Sequence, residues 1–171
     1  MKISQNKLIY LFATLFNISS TQAAPMNNDD KQSVYKEECT SCHMAYPARL
    51  LPARSWQKIM NTLDDHFGDN ASLDPTTIKT ITQYLQDNSA DSRHSQHTNK
   101  ILRYLPQNST PLRISELPYI RHKHDEIPSR YIKANPRVKS MSNCVACHKA
   151  AERGLFDDDN VRIPGYGRWE D

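Results

Sequence analysis

Long apolar runs are scarce in this 171-residue chain, of which 37% is hydrophobic. The most apolar stretch, Leu8 to Phe16, is about nine residues long. It falls well short of the roughly 20 residues a membrane-spanning helix needs, and no later stretch is apolar enough to span a bilayer. No strand-like alternation of apolar and polar residues stands out, which points to an all-α fold. No basic patch interleaved with aromatics is present, so nucleic acid is not an expected partner. Nothing in the chain resembles a general acid–base pair or an open substrate pocket, so the sequence does not read as an enzyme. There are four cysteines, and they fall into two copies of one pattern.

The first copy is Cys39-Thr40-Ser41-Cys42-His43 and the second is Cys144-Val145-Ala146-Cys147-His148. Cys-x-x-Cys-His is the attachment sequence for c-type haem. The two thiols, one helical turn apart, add to the two vinyl groups of the porphyrin, and the adjacent histidine supplies the proximal iron ligand. Two Cys-x-x-Cys pairs also suit a four-cysteine zinc site, a dithiol redox site or plain disulfides. None of these needs a histidine after each pair. The cofactors expected are therefore two covalently attached c-type haems, on Cys39 and Cys42 and on Cys144 and Cys147, with His43 and His148 on iron. No thiol is then left for a structural disulfide. Lobes of about 70 residues would be marginal on their own apolar cores, and a large macrocycle at the centre of each supplies what the composition lacks. An apo form should be poorly folded.

The N-terminus has the layout of a secretory signal peptide. Lys2 and Lys7 precede the apolar run, and Ser19 to Ala24 is small and polar, with Thr21 and Ala23 fitting cleavage after Ala23. Residues 1–23 are read as the signal, which implies a periplasmic protein with no membrane insertion after cleavage. An uncleaved anchor is the competing reading. The organisation expected after it is an N-terminal haem lobe (24–88), a polar linker (89–112) and a C-terminal haem lobe (113–171). The first lobe has 6 basic and 9 acidic residues, whereas 89–171 has 14 and 10. This asymmetry suits electrostatic docking to a partner.

Within the first lobe, Lys31 to His43 reads as a helix leading into the attachment site, followed by a loop fixed by Pro47 and Pro52. Ala53 to Phe67 carries Trp56, Ile59, Met60, Leu63 and Phe67 as one amphipathic stripe, with Ser55 as a possible N-cap and Gly68 as its stop. Asp74-Pro75 opens a further helix with Ile78, Ile81 and Leu85 inside, ending near Asn88. Ile101 to Leu105 could pack against this lobe. From Arg113 to Asn143 the chain is broken by Pro118, Pro128 and Pro136, with Ile114, Leu117, Tyr119 and Ile120 expected near the second haem. The last good helix should run from Cys144 to Arg153 and stop at Gly154.

The ligand on the far side of each iron decides the function. Met or His closes that position, and Met gives the higher potential; an open position allows a small molecule to bind. For the first haem Met44 adjoins the proximal histidine, Met60 suits core packing, and His66 has the better case. For the second, Met141 is too close to Cys144, and His94 and His97 sit in a polar stretch. His122 and His124 remain, and spacing alone does not choose between them.

With these residues in place the chain resembles the small bacterial dihaem cytochrome c family. The resemblance rests on the ordered set Cys39 to His43, Trp56 to Gly68, Ala71-Ser72-Leu73, Arg113-Ile114-Ser115, His124 to Pro128, Asn143 to His148, Gly154 to Asp157 and Arg162-Ile163-Pro164. It implies two small haem-centred helical lobes with long irregular connections. It also implies bis-histidine ligation, with His66 and His124 as distal ligands. The implied function is one-electron transfer by a soluble periplasmic carrier, between a membrane b-type cytochrome as donor and a small soluble haem protein as acceptor. The carrier is expected to be a monomer. The alternative is a haem enzyme, or a gas or peroxide sensor, with one open iron position.

Overall fold

The computed structural model describes residues 26–93 and 98–169. The signal segment 1–23 and the candidates His94 and His97 lie outside the described residues. Helix α1 spans Asn28–Cys39. Asn27 caps it, its Oδ1 accepting from the Asp30 N–H at 2.9 Å, and Asp29 and Asp30 place negative charge at the positive end of the helix dipole. Tyr35 is the buried residue of α1, so the helix reaches the core through one side chain and carries Cys39 as its last residue.

The proline loop folds inward. Ala48, Leu50, Leu51 and Pro52 are buried, and the Trp56 indole N–H donates to the Ala48 carbonyl at 2.7 Å. Helix α2 spans Ala53–Met60 and buries Ser55, Trp56, Ile59 and Met60. It starts at Pro52, and Ser55 is buried inside it with no hydrogen-bond partner for its hydroxyl, so Ser55 is not the cap. It also ends seven residues short of Phe67. Asn61 and Thr62 are weak helix formers, and Thr62 leaves the helical region at φ −130°. A short 3₁₀ turn over Leu63–Asp65 follows. Helix α3, Pro75–Asp87, has Asp74 as N-cap to the Thr76 and Thr77 N–H groups and Asn88 as C-cap. It packs on both α1 and α2, with Tyr84 against Tyr35 at 5.5 Å between ring centres.

The polar stretch beyond α3 is tied to this core. Ala90 is fully buried and its N–H donates to the Leu51 carbonyl at 2.9 Å; Ile101, the last residue of α4 (Thr98–Ile101), is buried in the same cluster. Helix α5, Pro118–His122, enters beside Leu117, which is fully buried in that cluster too. Ile114, Tyr119 and Ile120 pack against it, so the entrance to the second lobe is seated on the core of the first.

The second lobe is built from short pieces: α6 (Ser129–Ile132), α7 (Cys144–Cys147) and a 3₁₀ turn over Ala151–Arg153. Helix α7 is one turn long and does not run on to Arg153; Gly154 then reverses the chain at φ +76°. The buried residues of this lobe are Ile132, Val138, Ala151, Val161 and Ile163. A two-stranded antiparallel ribbon closes it, β1 (Arg162–Ile163) against β2 (Gly167–Arg168), with Arg162 opposite Arg168. Two residues per strand are too few for an alternation pattern. The fold is otherwise all-α with irregular connections.

Candidate haem sites

The first attachment motif leaves the end of α1. Cys39 is its last helical residue, the Thr40 N–H still donates to the Lys36 carbonyl at 3.0 Å, and the turn then exposes Cys42 and His43. Burial, with Glu38 adding to it, pushes the Cys39 thiol up to about 11, so it stays protonated without a partner to activate it. The His43 Nδ1–H donates to the Met44 carbonyl at 2.7 Å. That bond fixes the ring and leaves Nε2 as the free lone pair, the usual preparation of a metal-binding imidazole.

His66 reaches this site from a tight turn. Its N–H donates to the Asp69 carbonyl at 2.7 Å and the Asp69 N–H returns to the His66 carbonyl at 3.3 Å. The two central residues, Phe67 at φ +60° and Gly68 at φ +102°, both have positive φ, as in the primed turns of hairpins. Phe67 is therefore not on the buried stripe. It is 45% exposed, edge-on to His66 and capped by the Arg113 guanidinium at 4.1 Å. The His43 and His66 ring centres lie 6.1 Å apart with their planes 24° apart. Burial lowers the His66 pKa, with His43 and Arg113 acting in the same direction against Asp69, which favours the neutral, ligating form.

The second motif has the same logic on different elements. Helix α7 carries Cys144 and Cys147, and the His148 N–H donates to the Cys144 carbonyl at 2.8 Å. His124 follows α5, with its Nδ1–H donating to the Ile120 carbonyl at 2.7 Å. Its ring centre lies 6.1 Å from that of His148, with planes 72° apart. Burial lowers the His148 pKa, helped by His124, and Phe156 shields the His148 ring edge-on at 5.5 Å. His122 points elsewhere: its ring is 73% exposed and its Nδ1 pairs with Asp125 at 3.2 Å. Met60 is core packing of α2.

The spacing fits haem. Two metal–nitrogen bonds of about 2 Å, with about 1 Å more from each nitrogen to its ring centre, put two axial imidazoles about 6 Å apart. Both pairs have that separation. A bare ion is a poor fit, because among the described residues no three His, Cys, Asp or Glu side chains converge on one point. Two imidazoles alone need a cofactor that brings its own equatorial donors, as a porphyrin does. None of the four cysteines is paired in a disulfide.

The comparisons agree with this chemistry. The family model described as dihaem cytochrome c matches residues 35–156. This chain belongs to the dihaem cytochrome c family. The crystal structure of a dihaem cytochrome c from Shewanella baltica is 44% identical, covers 82% of this chain and 98% of its own, and superposes with a TM-score of 0.68. A dihaem cytochrome c from Rhodobacter sphaeroides is 51% identical over 72% of this chain and 95% of its own, with a TM-score of 0.66. No curated protein matches. As a dihaem cytochrome c the protein carries two c-type haems with iron, and electron transfer is the chemistry the family implies.

Some contacts around the sites of this cytochrome carry no signal in its sequence. The Tyr46 ring packs at a tilt against His43 with centres 5.2 Å apart, and Arg113, from the segment before α5, covers Phe67 and acts on His66 through its charge. Arg113 is distant in sequence from both of these groups. Among the described residues no helix is long and apolar enough to cross a membrane.

Proposed function

We propose that this cytochrome is a periplasmic one-electron carrier with bis-histidine ligation at both irons. Cys39 and Cys42 would hold the first haem, with His43 and His66 as its iron ligands. Cys144 and Cys147 would hold the second, with His148 and His124. The observation that carries this reading is the pair of imidazoles brought together at each site, 6.1 Å between ring centres at both. Haem iron supplies a one-electron ferric–ferrous couple, and two imidazoles lower its potential relative to a His/Met pair. The chain's own part is to fix those imidazoles, through the Met44 and Ile120 carbonyls, and to keep water from their faces with Phe67, Phe156 and Tyr46.

Residues 1–23 would direct export. A membrane b-type cytochrome as donor and a small soluble haem protein as acceptor fit the sign change in charge between 24–88 and 89–171. The carrier would act as a monomer, with no nucleic acid. A haem enzyme or sensor needs an iron without its sixth ligand, and the second imidazole at each site speaks against it. A spectroelectrochemical titration combined with electron paramagnetic resonance of the oxidised protein tests the reading. Two low-spin centres with low potentials are expected, and a high-spin ferric signal at either haem would sink it.

A further inference from the structure

The two haem sites share a side chain. Tyr46 belongs to the loop of the first motif and is anchored there, because its carbonyl accepts from the Tyr35 hydroxyl at 2.7 Å and Tyr35 is buried. Its ring lies against His43, with centres 5.2 Å apart and planes 35° apart. Its hydroxyl leaves the first lobe and donates to the Ser142 carbonyl at 2.6 Å, across 96 residues of chain. Ser142 stands two residues before Cys144, and the Cys144 Sγ lies 3.7 Å from that same carbonyl oxygen. Asn143, between them, ties the turn to the Val138 carbonyl at 3.1 Å. One tyrosine thus touches the proximal imidazole of the first site with its ring and the entry turn of the second attachment helix with its hydroxyl.

Other contacts hold the lobes together without Tyr46. Arg49 donates to the Gly154 carbonyl, Arg113 covers Phe67, and Leu117 is buried in the first core. Loss of the Tyr46 hydroxyl would therefore leave the lobes docked and act on the turn at Ser142. Helix α7 is only four residues long, so its aim depends on that turn and not on helix stability. A change of aim there reaches His148, whose N–H is bonded to the Cys144 carbonyl.

We infer that Tyr46 is a positioning residue that couples the two haem sites, its ring setting the plane of His43 and its hydroxyl setting the presentation of Cys144 to His148. The inference rests on the bis-histidine reading. The experiment is electron paramagnetic resonance and potentiometric titration of the oxidised holoprotein, wild type against Tyr46→Phe and Tyr46→Leu. Signals are assigned with a His124→Ala protein, in which the low-spin signal of the second site is gone. Tyr46→Phe keeps the ring, so the g values and midpoint potential of the second site should shift while those of the first stay at the wild-type values. Tyr46→Leu should shift both. The inference is overturned if Tyr46→Phe leaves the second site unchanged. It is equally overturned if Tyr46→Phe displaces both sites alike, since the hydroxyl would then serve the fold as a whole. Failure of the bis-histidine reading shows separately, as a wild-type spectrum without two low-spin centres.

Discussion

His43 and His66 stand 6.1 Å apart with their ring planes 24° from parallel, whereas His124 and His148, at the same separation, are turned to 72°. The two sites thus share a spacing and differ in ligand orientation. In a low-spin ferric haem near-parallel imidazoles split the two iron d orbitals that interact with the ligand planes, and near-perpendicular imidazoles leave them almost degenerate. Low-temperature electron paramagnetic resonance of the oxidised protein should show one ordinary rhombic low-spin signal from the first site and one signal with a large, isolated low-field g value from the second. Two identical rhombic signals would contradict the ring geometry.

Removing the distal imidazoles should open the irons one at a time. His66→Ala should make only the first haem high-spin and able to bind carbon monoxide, and His124→Ala only the second. His66→Met should instead keep the first haem low-spin and raise its potential. His122→Ala should leave both spectra unchanged, because its ring pairs with Asp125 at the surface. A high-spin haem in the His122 variant would reverse the assignment of His124.

The difference between His122 and His124 shows where the sequence stops. The attachment motifs are legible because covalent chemistry fixes their spacing along the chain. The distal histidines come from elsewhere in the fold, and two candidates two residues apart are distinguished only by side-chain direction. That direction is set by the bond from His124 to the Ile120 carbonyl at the end of a five-residue helix, a length too short to impose a period. At the first site the apolar stripe correctly marked Trp56, Ile59, Met60 and Leu63 as core. It extended the helix too far, because periodicity does not register that Asn61 and Thr62 release the backbone. Ile101, Leu102 and Leu105 pack against the first core as their apolar content predicts, whereas the seating of Ala90 and Leu117 there is a long-range contact that no local pattern reveals.

Gly68 matters through its backbone. At φ +102° it completes the turn that presents His66, with open space where a Cβ would stand. Gly68→Ala should cost about 1–2 kcal/mol from the left-handed backbone alone, read as a lower urea midpoint. It should also perturb the first haem's spectrum and not the second's. A fully wild-type stability would show that the turn accepts a side chain without strain.

Arg113 places a positive charge near His66 while remaining partly exposed. A cation disfavours the more positive ferric state, so Arg113→Ala should lower the potential of the first haem. Solvent screening limits the effect to about 1 kcal/mol, roughly 40 mV for one electron, and it should shrink as salt is added. A rise in that potential, checked by titration at two ionic strengths, would contradict the electrostatic role.

Leu117 is fully buried where the second lobe meets the first core. Leu117→Ala should destabilise the protein by about 2–5 kcal/mol, measured by denaturant unfolding of the holoprotein. A loss below 1 kcal/mol would mean that the junction contributes little to the shared core.

The central claim is that both irons are closed by a second imidazole, and carbon monoxide addition to the fully reduced protein tests it most directly. The predicted result is a Soret band that does not move at either haem, because no coordination position is free. A carbon monoxide-shifted Soret component accounting for one of the two haems would contradict it, and the protein would then be read as a site for small-molecule binding.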